Sequence, residues 1–268
     1  MAWGYDRDYF TARQRGWTAS AEALASVLLP LFPVRSAVEV GCGTANLLEA
    51  FARHGVTDLL GLYGPDDPRD MMRVPEGWLR PWRLDALAPL DRRYDLACTL
   101  EVAEHIPERD AAGFVRMLVR AAPVVLFGAA IAGQGGPGHI NERRQSWWAE
   151  RFAAHDYVAV DCVRPALWGV PGMEWYYPQN ILVYCRPELV PAGHAPVSNP
   201  LYLNLVASEV MQPLLRGPDS IGSAMRALRR DATALAGALG RRLSSSGARR
   251  DPHPALRATL SRSAGEGR

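Results

Sequence analysis

The sequence predicts an α/β fold: a seven-stranded, mainly parallel sheet with helices on both faces, followed by a C-terminal helical extension. Three observations predict it. Short apolar runs alternate with stretches of helical periodicity between about residues 37 and 184, the pattern of βαβ units in a parallel sheet. The first apolar run passes directly into Gly41-Cys42-Gly43-Thr44 and then a helical pattern. That strand–turn–helix step opens a crevice at the carboxyl end of a sheet. The last two apolar runs are separated by Pro165, Gly169, Pro171 and Gly172 without a helical pattern, which suits a terminal antiparallel strand.

The elements follow in order. Residues 9–29 place Phe10, Trp17, Ala21, Leu24 and Leu28 at helical spacing ahead of Pro30. Strands are expected at 37–40, 59–62, 82–84, 94–99, 124–127, 157–163 and 181–184, and helices at 45–53, 110–120 and 146–154. Pro191, Gly193, Pro196 and Pro200 then mark a linker, followed by helical stretches at about 201–215 and 221–243. The second sets Ile221, Met225, Leu228, Leu235 and Leu239 on one stripe, a face expected to pack on the domain or on a second subunit of a homo-oligomer. From Ser244 the chain is rich in Ser, Gly, Arg and Pro, a composition that predicts disorder. The expected organisation is a helical lid (1–34), a main domain (35–187), a helical extension (188–243) and a tail (244–268).

With 268 residues and 48% hydrophobic content, the chain is long enough for one full-sized core. No apolar run reaches the roughly 18 residues of a membrane span, and the N-terminus lacks the order of a secretory signal. Cys42, Cys98, Cys162 and Cys185 form no CxxC pair, so they read as reduced thiols of a cytoplasmic protein. All 30 basic residues are arginine. Residues 1–200 carry 19 of them against 23 acids, and residues 201–268 carry 11 against 5. The main domain is therefore no basic platform for nucleic acid, and attraction to phosphate would have to come from the tail.

Two clusters carry chemistry. Gly41 and Gly43 allow close backbone approach to a ligand. Asn46 stands where a dinucleotide fingerprint has its third glycine, and Glu39 is a carboxylate within a buried strand that needs a partner. Glu101, Glu104 and His105 stand at i, i+3 and i+4, neighbours on a helical turn, after the fourth strand. His139 follows the fifth, within Gly138-His139-Ile140-Asn141-Glu142. Two carboxylates and two imidazoles suit a divalent cation with open positions, Mg²⁺ or Mn²⁺ for the oxygens, with Fe²⁺, Co²⁺ and Zn²⁺ as competitors for the imidazoles. The alternatives are metal-free acid–base use of His105, His139 or Glu101, and a structural role. The loop Gln134–Gly138 and the aromatics Trp147, Trp148, Trp168, Trp175, Tyr176 and Tyr177 are candidates for an acceptor site, with Trp3, Tyr5 and Tyr9 in the lid.

Val38-Glu39-Val40-Gly41-Cys42-Gly43-Thr44 resembles motif I of the class I S-adenosylmethionine (SAM)-dependent methyltransferases, and Tyr94 through Glu101 resembles their fourth-strand motif. The resemblance covers residues 35–187 and implies a Rossmann-like fold that binds SAM. It implies cofactor contacts at Glu39, Gly41, Gly43, Asp85, Ala86 and Leu100, with Tyr63 at the ribose position. There the family has an Asp or Glu, so Asp66 or Asp67 would have to reach back; Ala45 also replaces a family glycine. Glu101-x-x-Glu104-His105 with His139 is similar to the metal-dependent 2′-O-methyltransferases acting on the 3′ end of small RNAs, and a related segment occurs in ubiquinone-pathway O-methyltransferases. The expectation is an O-methyltransferase of a small-molecule hydroxyl: a sugar, glycan precursor or natural product. An RNA ribose methyltransferase, a SAM-fold protein without catalysis and a SAM enzyme of another reaction stand as alternatives.

Overall fold

A computed structural model describes residues 6–85 and 87–210. Trp3, Tyr5, Ala86, the helical stretch at 221–243 and the tail lie outside the described residues. Helix α1 (Arg7–Leu28) opens on Asp6, whose side chain accepts the Tyr9 N–H at 2.9 Å, a standard N-cap that satisfies one free amide of the first turn. The sheet then builds from β1 (Ser36–Val40), β2 (Asp58–Tyr63), β3 (Leu79–Pro81), β4 (Leu96–Leu100), β5 (Val124–Gly128), β6 (Val158–Val160) and β7 (Leu182–Cys185). Its order is β3-β2-β1-β4-β5-β7-β6. All pairs are parallel except those of β7, which runs antiparallel to both β5 and β6.

Alternation along the strands divides the core in two. Ala37, Leu96, Cys98, Val124, Leu126 and Val183 face α1, α2 (Asn46–Arg53) and the one-turn helix α5 (Arg164–Leu167). Val38, Val40, Ala97, Val125, Phe127 and Tyr184 face α3 (Glu108–Ala121) and α4 (Gln145–Ala153). Helices therefore cover both faces, and buried side chains such as Leu24, Leu28, Phe51 and Phe114 each contribute about 1.5–3 kcal/mol. Phe152 stacks on Tyr184 with centroids 3.9 Å apart. All four cysteines are buried free thiols. Among the described residues no helix is long and apolar enough to cross a membrane.

The structure corrects four expectations. The third strand is Leu79–Pro81 rather than 82–84; as an edge strand it tolerates Pro81, and Trp82 to Asp85 leave the sheet as part of a cavity wall. The fourth begins at Leu96, because the Asp95 side chain turns to accept the amides of Arg35 and Ser36 at 2.8 and 2.9 Å. Between β6 and β7 lie α5 and α6 (Tyr176–Asn180), each too short to impose a periodic pattern. Of the expected helix at 201–215, the first part is a 3-10 turn at Pro200–Leu203 and then irregular to residue 207; residues 208–210 are helical, and 211–215 lie outside the described residues. Polar groups tie this segment to the core. Buried Arg164 donates to the carbonyl of Leu203 at 2.7 Å, and the Gln145 amide donates to that of Leu205 at 3.0 Å.

Candidate active site

Five parallel strands end at one cavity of about 810 Å³, at the carboxyl edge where open α/β sheets bind ligands. One wall is the turn after β1. Gly41 (φ +74°) lies so close to Val102 that a Cβ would come within 2.4 Å of Cγ2; a side chain is excluded there by both conformation and space. Ala45 also adopts a left-handed φ of +62°. The amides of Gly41 and Cys42 both donate to the carbonyl of Leu62 at 2.9 Å, so the turn is tied to the end of β2. Helix α1 closes over it. The Gln14 amide donates to Asn46 at 2.8 Å, Thr44 donates to Gln14 at 3.2 Å, and Phe10 faces Gly43.

Glu39 projects into the same wall. It is buried, and its Oε2 meets no hydrogen-bond donor. Burial pushes its carboxyl well above the usual range, and the charge of Asp67 adds to this. Asp67 itself lines the cavity, accepts the Gly64 amide at 2.8 Å, and is pushed up by burial to about 6. Tyr63 does not line the cavity: its hydroxyl takes a hydrogen bond from Arg69, whose guanidinium sits 4.6 Å above the ring. The acidic residues following β2 that line the cavity are thus Asp66 and Asp67, three and four residues beyond the strand's end. Asp85 and Leu100 line the cavity, with Asp85 exposed and bidentate to Arg83 at 2.9 and 2.8 Å.

The second wall follows β4 and β5. Glu101 has a left-handed φ of +56°, an unfavourable conformation for a non-glycine residue. Its two oxygens accept from the amides of Asn180 at 2.8 Å and Gln134 at 3.1 Å. Gln134 in turn accepts from Gln179 and Asn180, both at 3.0 Å. Burial raises the Glu101 carboxyl to about 7, against the opposing pull of these donors.

Glu104, His105 and His139 form a separate group whose ligand atoms lie within 4.8 Å of one another. The structure does not bring Glu101 into it, because the two amides hold that carboxylate aside. The loop carrying His139 is anchored by the carbonyl of Glu104, which accepts the amides of Ile140 and Asn141 at 3.0 and 2.9 Å. His105 Nδ1 is 3.0 Å from the carbonyl of Gly138, and His139 Nδ1 is 2.8 Å from Glu142 Oε1. A carbonyl only accepts, so Nδ1 of His105 carries the proton and Nε2 the lone pair of the neutral ring. Burial lowers His105 to about 4, so it is neutral at physiological pH. The Glu142 carboxylate orients His139 in the same sense, with Nε2 3.8 Å from Glu104 Oε1. The Glu104 carboxylate is fully buried and neither oxygen has a hydrogen-bond partner. Its own amide and that of Ala130 favour the charged form weakly, while burial and the Glu101 charge push its pKa far up.

An aromatic wall completes the cavity: Tyr9, Phe10 and Trp17 of α1 face Trp175, Tyr176 and Tyr177. The Trp17 indole donates to the Tyr176 hydroxyl at 3.0 Å. Trp148 is instead a core residue packed on Phe127 with centroids 4.9 Å apart, and Trp168 is half exposed outside the cavity. Sequence reasoning missed Arg13, Glu174 and Asn180. Arg13 lies within an ordinary polar stretch, Glu174 stands between Met173 and the aromatic run Trp175–Tyr177, and Asn180 reaches Glu101 only through the folded sheet edge, so no local pattern marks any of them.

No family model and no curated protein matches this sequence. Solved structures do. The mitomycin 7-O-methyltransferase superposes with a TM-score of 0.50 at 15% identity over 69% of this chain and 59% of its own. This chain thus spans about three fifths of that protein's length. A plantazolicin methyltransferase in complex with SAH gives 0.48 at 12% identity, covering 69% of this chain and 93% of its own. The magnesium protoporphyrin IX methyltransferase of Synechocystis, with bound SAH, gives 0.44 at 16% identity, covering 67% and 97%. Likeness at this identity shows the fold alone, a Rossmann-like, mainly parallel seven-stranded sheet with helices on both faces.

Proposed function

We propose that the chain is a SAM-dependent O-methyltransferase acting on a hydroxyl of a small molecule, with a divalent cation held by Glu104, His105 and His139. One observation carries the reading: the glycine turn with its unpaired Glu39 and the Glu104–His105–His139 group open into the same cavity, from adjacent strands β1 and β4 and the neighbouring β5. In this proposal Glu39 receives the ammonium of the methionine moiety and Asp67 the ribose hydroxyls. The adenine end is assigned to the cavity-lining residues Gly64, Trp82 and Asp85.

The donor set fits a cation. A buried carboxylate without a hydrogen-bond partner is costly unless something positive faces it; each imidazole has a ring nitrogen within 4.8 Å of the group's other ligand atoms, and the Gly138 carbonyl and the Glu142 carboxylate contact His105 and His139 in the way that orienting partners fix metal-binding histidines. Two nitrogens and one oxygen favour Mn²⁺, Fe²⁺, Co²⁺ or Zn²⁺ over Mg²⁺. A cation held there would lower the pKa of an acceptor hydroxyl and orient it.

SAM supplies an electrophilic methyl group. The acceptor oxygen bonds to the methyl carbon as the carbon–sulfur bond breaks, the electron pair stays on sulfur, and S-adenosylhomocysteine is released. Glu101, whose carboxyl burial raises to about 7 against the pull of its amide partners, takes the hydroxyl proton. The aromatic wall excludes water and packs on the acceptor. The test is mass spectrometry after incubation with deuteromethyl-SAM, Mn²⁺ and a panel of sugars, catechols and natural-product precursors. The reading expects transfer of one labelled methyl group to a hydroxyl, diminished by EDTA. Label on a ribose of added RNA alone would favour the RNA alternative.

A further inference from the structure

The hydrogen bonds of Glu101 end a chain of amides that begins outside the cavity lining. Gln179, in α6, is fully buried and does not line the cavity. Its Oε1 accepts the backbone N–H of Ala207 at 2.7 Å. Its Nε2 donates to Gln134 Oε1 at 3.0 Å and to Asn180 Oδ1 at 2.8 Å. Asn180 Nδ2 donates in turn to Glu101 Oε1 at 2.8 Å and to Gln134 Oε1 at 3.0 Å, and Gln134 Nε2 donates to Glu101 Oε2 at 3.1 Å.

A carboxamide has nearly the same outline either way round, so a chain of three could run in either sense. One sense turns N–H groups to Glu101. The other turns carbonyl oxygens to it and repels its charge. A backbone N–H cannot be reversed, and Ala207 supplies one at the head of the chain. With Gln179 turned round, its NH₂ group would face that N–H, and its oxygen would face the oxygens of Gln134 and Asn180. Buried donors and acceptors would then stand unmatched. Gln134 has a second backbone donor, the N–H of Ile131 at 3.3 Å. Among the described residues, the donor to Asn180 Oδ1 is Gln179. The main chain of Gln179 is fastened as well. Its carbonyl accepts from Gln145 at 2.9 Å and Arg164 at 3.5 Å, the two side chains that also hold the carbonyls of Leu205 and Leu203.

We infer that Gln179 is a positioning residue for Glu101: fixed by the Ala207 amide, it orients Asn180 and, together with Ile131, Gln134, so that both present N–H groups to the carboxylate. The segment 203–207 thereby reaches the proton acceptor of the cavity without touching it. The inference rests on the reading of Glu101 as the group that takes the acceptor's proton. Glu142, Glu104 and the hydroxyls of Tyr9, Tyr176 and Tyr177 also bear on Glu101 electrostatically, and none of them is altered by a substitution at Gln179.

The test follows the Glu101 carboxyl through its titration by carboxyl-carbon nuclear magnetic resonance, in metal-free, full-length protein labelled in glutamate. Glu101→Gln identifies the signal. Wild type, Gln179→Met, Asn180→Leu and the double variant are compared, each first shown to melt cooperatively. Loss of one oriented donor to a carboxylate strengthens its proton binding about tenfold. Gln179→Met and Asn180→Leu should each show this rise. The double variant should show no more than Asn180→Leu alone, because both changes act through one bond. An unmoved midpoint in Gln179→Met, or effects that multiply in the double variant, would assign Gln179 to packing and overturn the inference. Neutron diffraction from wild-type crystals reads the same polarity without a variant. Deuterium on Gln179 Nε2 toward Gln134 and Asn180 supports the inference, and reversed amides overturn it. Neither measurement uses SAM or an acceptor. Absence of methyl transfer in the labelled assay would remove the base role of Glu101, an outcome distinct from a failure of the positioning.

Discussion

Glu101 and Glu104 stand three residues apart and are built for different work. Glu104 is buried between two imidazoles without a hydrogen-bond donor, whereas Glu101 is saturated by two amides. Glu104→Gln should therefore reduce Mn²⁺ affinity by at least about tenfold, and Glu142→Gln, acting through His139, by about 10- to 100-fold. Glu101→Gln should leave it nearly unchanged. Electron paramagnetic resonance of free Mn²⁺ reads all three, and equal losses in the Glu101 and Glu104 variants would return Glu101 to the ligand set. Glu101 also sets a pH dependence. Its carboxyl rises from 4.5 to about 7 on folding, so the folded state binds the proton more tightly. This contribution is fully present below pH 4.5 and lost as pH rises through about 7, about 3 kcal/mol in all. Thermal melts of the metal-free protein should show Glu101→Gln gaining on the wild type between pH 5 and 8; a constant offset would contradict this. In the sequence the two carboxylates are equivalent members of one helical-turn pattern. Only the folded loop, which delivers Gln134 and Asn180 to one and His139 to the other, separates them.

At the scale of elements, the turn after β1 and the segment after β7 make opposite cases. The turn was legible because its demands are local: a strand, two glycines and a helix in succession. Gly41→Ala should cost at least about 2 kcal/mol, from the left-handed backbone and the clash with Val102 together, and should abolish SAM binding; urea unfolding and a dye-based thermal shift check both. The segment 200–207 was misread as helix because its partners are distant. Arg164, buried and bonded to Asp161 at 2.7 Å and to the Leu203 carbonyl at 2.7 Å, is the staple. Arg164→Met should cost about 3 kcal/mol, since it leaves a charge and a carbonyl without their partner. Hydrogen exchange at residues 200–207 should rise more than in the sheet. Uniform loosening would show that Arg164 serves the core instead. The third strand was misplaced for a related reason: Trp82 and Leu84 have strand-like chemistry, but an edge position and a cavity drew them out of the sheet.

For the whole molecule, the alternation of apolar runs was sufficient for the architecture, because a doubly wound sheet follows from periodicity and connection rules alone. The position of the cavity followed from that architecture. Its composition followed in part: Asp67 was legible as a candidate beyond β2, whereas Arg13 on α1 joins the cavity wall, and Asn180 before β7 reaches Glu101, only in the folded chain. The central claim is that this cavity holds SAM. Calorimetric titration with S-adenosylhomocysteine, which is inert to transfer, tests it most directly. The account predicts one site per chain with micromolar affinity, displaced by SAM and lost in Gly41→Ala. No heat of binding at millimolar ligand, from a protein that melts cooperatively, would contradict it.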